Sequence, residues 1–114
     1  MNELVDRAAV MARFDGDVEI LRDIAILFFE DYPKTFSKVR GAVERRDATE
    51  AARAAHTLKG SVSNFSSEVA DLILEIEQMA LGGSISKADK ACVLLEKNLL
   101  RLKAELLEIL NDIP

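Results

Sequence analysis

The sequence predicts an all-α fold: an up-down-up-down antiparallel four-helix bundle with a short additional N-terminal helix packed across it. Three observations carry this. Apolar residues recur at helical spacing along nearly the whole chain. Glycine and proline are scarce, with 5 and 2 in 114 residues, so long elements and few turns are expected. The most informative residues are Ala, Leu, Glu, Lys and Arg, all good helix formers.

The first helix is expected over residues 2–12, with Leu4, Val5, Ala8, Ala9 and Met11 broadly on one side. FDGD, residues 14–17, breaks it, and Asp17 is placed to cap the next helix. That second helix runs to about Arg46 with the stripe Val18, Leu21, Ala25, Phe28, Tyr32, Phe36, Val39 and Val43. Pro33 lies inside it. The stripe stays in phase on both sides, which predicts a kink rather than a break.

RRDATE, residues 45–50, is the next boundary, with Asp47 and Glu50 at capping-box spacing. The third helix buries Ala51, Ala55, Leu58, Val62 and Phe65 and ends near Asn64–Phe65. Ser66 or Ser67 caps a fourth helix carrying Val69, Leu72, Ile73, Ile76, Met79 and Ala80, and Gly82–Gly83 stops it. Ser86 and Asp89 repeat the capping-box spacing. The last helix carries Cys92, Leu95, Leu99, Leu102, Leu106, Ile109 and Ile113 on its seam. Short loops between long helices predict antiparallel neighbours, and residues 1–114 read as one domain.

Charge and cysteine content narrow the function. The net charge is −5 and the pI about 4.9. An acidic surface disfavours nucleic acid and anionic membranes as partners. The single cysteine, Cys92, excludes an intramolecular disulfide, fits a reducing compartment and belongs to the core seam. No apolar run of about 18 residues or signal-peptide pattern is present, so a cytoplasmic location is expected.

The only histidine, His56, sits in AAHTLKGSVSNF, residues 54–65. Ala55 and Leu58 occupy the seam, so a rotation of about 100° per residue puts His56 on its flank. Ala52, Lys59, Gly60 and Ser63 share that flank. A glycine inside a helix costs roughly 1 kcal/mol relative to alanine. Here it and its small neighbours are expected to leave the imidazole open to another molecule. Neutral imidazole has a free lone pair near pH 7, with a reference pKa of about 6.5. It is a competent nucleophile, and Lys59 one turn on would balance the charge of a phosphoryl group placed on it. If the third and fourth helices form a hairpin turning near residues 66–67, facing positions sum to about 134. Gln78 would then oppose His56 and could orient the ring.

HTLKGS, residues 56–61, resembles the signature of histidine-containing phosphotransfer (HPt) domains, the bundles that relay phosphoryl groups between receiver domains in two-component signalling. FDGDVEILRDIAILFFEDYP resembles the second-helix segment of bacterial members, and ARAAHTLKGSVSNF the third-helix core. The resemblance implies that His56 is the phosphoacceptor, that Lys59 stabilises the phosphate charge, that Gly60 is the small residue following it, and that Gln78 hydrogen-bonds the ring. Where the family often has glycine after Asn64–Phe65, this chain has Ser66.

The partners implied are response-regulator receiver domains, with a hybrid histidine kinase upstream and the Mg²⁺ supplied by the receiver. No cofactor of the chain's own is expected. It has no GxxxxGK[ST] loop, so it is not expected to use ATP or to turn over by itself. Two other readings stay open: the phosphoacceptor domain of a chemotaxis-type histidine kinase, and an adaptor that binds receivers without transfer. A dimerising kinase bundle fits less well, because TLKGS lacks the acid or arginine and the proline expected after its histidine. Met11 and Phe14 belong either to the core or to an apolar docking patch. One seam per helix favours a monomer, and the sequence leaves open whether the chain stands alone or is part of a larger kinase.

Overall fold

The computed structural model describes residues 3–112. Among these residues the chain is all helical: α1 (Arg7–Arg13), α2 (Val18–Glu44), α3 (Ala48–Val62), α4 (Ser67–Leu81), a 3₁₀ turn (Ile85–Lys87) and α5 (Ala88–Asn111). α3 packs on both α2 and α4, and α5 packs on the same two helices. The core is the joined seams of α2 to α5. All the seam residues expected for α5 from Cys92 to Ile109 are buried, while Ile113 lies outside the described residues.

Local chemistry explains most boundaries. Asp17 caps α2, its carboxylate accepting from the Glu19 and Ile20 N–H groups at 3.1 Å each. Asp47 caps α3 by accepting from Glu50 N–H at 3.1 Å. Gly82 ends α4, followed by Gly83 at φ +82°, a conformation that favours glycine. α2 runs through Pro33 as one helix of 27 residues; the proline is exposed. Phe65 leaves α3 and returns to the core 2% exposed, its ring centroid 5.3 Å from that of Phe28 on α2. Burying such a side chain contributes about 2–3 kcal/mol, and here it pins the α3–α4 turn to α2.

Two expectations are corrected. α1 starts at Arg7, not at residue 2, because Asp6 caps it by accepting from Ala9 N–H. Leu4 and Val5 are still buried, but in a bent, non-helical lead-in whose N–H groups both donate to Glu105 Oε1, at 2.8 and 2.9 Å. With the helix begun later, its buried residue is Val10, and Ala8 and Ala9 face out. The cap expected at Ser86 does not form. Ser86 lies within the 3₁₀ turn and α5 starts at Ala88 without a side-chain cap. Met11 and Phe14, left between core and surface, are half-buried and packed against the core.

Candidate functional site

α3 is the helix that α2 and α4 both cover, so it must be narrow on two sides. Ala51, Ala52, Ala54 and Ala55 supply that narrowness and are all buried. Ala52, expected on the open flank, is therefore 7% exposed: with neighbours on two sides, the buried arc of α3 is wider than a single seam. The arc that remains open carries His56, Thr57, Gly60, Ser61 and Ser63.

His56 stands in mid-helix with its side chain 70% exposed. One turn on, Gly60 leaves open space: a Cβ built there would meet nothing within 4 Å. Ser63 Oγ donates to Gly60 O at 2.9 Å, satisfying a carbonyl of the last turn. Lys59 is half-buried, its side chain 24% exposed, and its Nζ donates to Glu77 Oε1 of α4 at 3.1 Å. The other carboxylate oxygen of the same residue, Glu77 Oε2, lies 3.6 Å from His56 Nδ1. Glu77 is 17% exposed, so this carboxylate sits in a partly desolvated notch between α3 and α4.

Gln78 does not take the place expected of it. It is exposed and, among the described residues, makes no hydrogen bond with His56. The reason lies in α4. Ile73, Ile76 and Ala80 face the core, and Glu77 falls one turn from Ile73 at the edge of that face. Gln78 is rotated a further 100° or so onto the arc of Leu74 and Leu81, which are 36% and 67% exposed. The signal that could have found Glu77 was in the sequence: a facing sum of about 134 points to 77 and 78 alike, and the phase of Ile73 and Ile76 chooses between them.

Among the described residues no three His, Cys, Asp or Glu side chains cluster as a metal site, and no helix is long and apolar enough to cross a membrane. Cys92 is buried, and its thiol is pushed up to about 11, first by burial and then by Asp89. It has the character of a core residue.

An exposed histidine with a lysine one turn away, fixed on the middle helix of an all-α fold, defines a helical module that can carry a group on a side chain. The family comparison agrees: residues 23–112 match the model of the Hpt domain, and the chain belongs to that family. It is thus a histidine phosphotransfer module of the phosphorelay class. The structure matches the crystal structure of histidine-containing phosphotransfer protein B (HptB) from Pseudomonas aeruginosa PAO1 with a TM-score of 0.88, over 100% of both chains at 16% identity. At that identity the likeness establishes the shared fold. No curated protein matches the sequence significantly.

Proposed function

We propose that His56 is the residue that carries the phosphoryl group, taken from an aspartyl phosphate of one receiver domain and passed to the aspartate of another. The observation that carries this is the 70% exposure of the chain's one histidine beside Lys59 and the open space over Gly60. In the first step the free lone pair of the ring attacks phosphorus. The N–P bond forms, the acyl P–O bond breaks, and the receiver's carboxylate leaves. The second step reverses this on a new carboxylate. Lys59 balances charge on the transferring group, and the receiver brings the Mg²⁺. Gly60 and Ser63 keep the approach to the ring low.

The same reading takes the helices as an up-down-up-down bundle with α1 across one end, forming one domain over residues 1–114. It takes the protein as a cytoplasmic monomer that holds no cofactor of its own. Partners are receiver domains and a kinase that feeds them.

The test is incubation with a radiolabelled phospho-receiver and Mg²⁺, and separately with ATP and Mg²⁺. Acid-labile, alkali-stable label is expected from the receiver only, and none on His56→Gln. Label arising with a kinase catalytic domain but never with a receiver would replace this reading by the kinase-fed one.

A further inference from the structure

Beside its core seam, α5 carries a second apolar line. Val93, Leu100 and Leu107 are 57%, 61% and 42% exposed and recur at every seventh residue. At 3.6 residues per turn that spacing keeps them in one row, about 21 Å long at 1.5 Å per residue. The row borders a groove between α2 and α5. Two hollows of about 230 and 240 Å³ open there, one lined by Val43 and Val93, the other by Pro33 and Leu100, with Phe36 in the wall of both. Arg40 and Glu96 cross the groove between the hollows at 3.4 Å. A straight, uncovered apolar row beside a groove has the shape that an amphipathic helix fills with anchors at i and i+7.

The flanks of the row on α5 are basic, although the chain as a whole carries −5. The acids nearest the groove are already neutralised: Glu44 and Glu96 by Arg40, and Asp89 by Arg46. Lys90, Lys97 and Lys103 have no acid partner among the described residues. Lys97 and Lys103 lie three residues to either side of Leu100, and Lys103 Nζ stands 5.6 Å from the ring centroid of Phe29 on α2. Glu108, next to Leu107, is the one acid on this flank without a cation. A second copy of the chain would supply the wrong charge: paired antiparallel about Leu100, Lys97 of each copy meets Lys103 of the other. The groove also lies away from the histidine. His56 and Glu77 mark the edge between α3 and α4, and α2 with α5 forms the opposite edge.

We propose that the α2–α5 groove is a docking site for an amphipathic helix of a partner protein, one with apolar anchors a heptad apart and acidic flanks. Its anchors fill the two hollows against Val93 and Leu100, and its acids meet Lys90, Lys97 and Lys103. Bound there, the partner holds the module from behind and leaves His56 open. The proposal does not depend on which residue carries the phosphoryl group.

The probe is a fluorescein-labelled synthetic helix of about 18 residues, with leucines at heptad spacing and glutamates on their flanks. Its counterpart has the same leucines and a lysine for every glutamate. In anisotropy titrations with the whole chain, the acidic helix should bind at least about 10-fold tighter than the basic one, and less tightly as salt is raised. Amide shifts in ¹⁵N-labelled protein should fall on α5 around Leu100 and on α2 around Phe36, and should spare His56 to Ser63. Leu100→Glu should weaken the acidic helix about 10-fold or more. Lys97→Glu combined with Lys103→Glu should turn the preference towards the basic helix. Leu100 and Lys97 are exposed, and circular dichroism checks that each variant is folded. Equal affinity for the two helices, no binding of either at about 1 mM, shifts centred on α3 or α4, or indifference to Leu100→Glu each overturn the proposal. So does a different occupant. Dimers of the chain alone that Leu100→Glu dissociates in sedimentation would give the groove to a second copy. Co-sedimentation with phosphatidylglycerol vesicles, lost in Leu100→Glu and without binding of the acidic helix, would give it to a lipid surface.

Discussion

At position 60 a methyl group would enter open space. Nothing inside the molecule requires glycine there, and Gly60 lies within α3. Gly60→Ala is accordingly expected to stabilise the fold by up to about 1 kcal/mol, read as a raised urea midpoint at unchanged slope. Gly60→Leu should keep the helical spectrum and slow transfer from a phospho-receiver, because the added side chain stands beside the ring rather than in the core. Unfolding of that variant would mean that this face is covered. The position of His56 on an open arc was legible from Ala55 and Leu58, which claim the seam. Its neighbour across the helix pair needed a second step: a hairpin sum fixes only the approximate level, and the phase of Ile73 and Ile76 on the buried face of α4 is what chooses residue 77 over 78.

At the scale of elements, the sequence marked the starts of α2, α3 and α4, which a side chain caps, and missed the starts of α1, although Asp6 caps it, and of α5, where no side chain does. Asp17 caps as read, Asp47 caps α3 although its own N–H goes to Ala42 O rather than to Glu50, and of Ser66 and Ser67 it is Ser66 that caps α4. α5 starts from a 3₁₀ turn with no side-chain cap, which capping-box spacing cannot reveal. Ser66 also settles the departure from the family pattern. Its φ is −151°, extended backbone open to any residue, and its buried hydroxyl accepts from Val69 N–H at 3.1 Å. A serine is useful there and a glycine is not needed. Ser66→Ala should cost about 1 kcal/mol and Ser66→Gly only a few tenths, by thermal or urea denaturation. The lead-in to α1 was missed for a different reason: its partner, Glu105, is about 100 residues away in sequence. Glu105→Ala removes the acceptor of two amides and one ion pair with Arg101. It should destabilise by about 1–2 kcal/mol and free the Leu4 and Val5 amides to exchange with solvent while the α3 amides stay protected.

For the molecule as a whole, the joined seams make stability sensitive to alkali through two groups that the relay chemistry does not use. Cys92, 5% exposed, titrates at about 11 in the fold against an ordinary value of 9.0, because burial and then Asp89 disfavour the thiolate. Tyr32, also buried, is raised from 10.0 by burial. Both groups are acids whose neutral form the fold favours. Below about pH 9 the folded and unfolded chains bind the same thiol proton, and Cys92 adds no slope. Between about 9 and 11 the unfolded chain has lost that proton and the folded chain has kept it, so stability falls as pH rises, by at most about 1.4 kcal/mol per unit. Tyr32 extends the fall above pH 10. Urea unfolding from pH 8 to 11 should show this decline, and Cys92→Ala, though less stable at pH 8 through its lost packing, should show a flatter one. A slope that Cys92→Ala leaves unchanged would assign the loss to Tyr32 and to the growing negative charge of an already acidic protein. The thiol should likewise resist alkylation in the native state and react once urea opens the bundle, since the thiolate is the nucleophile and the fold withholds it.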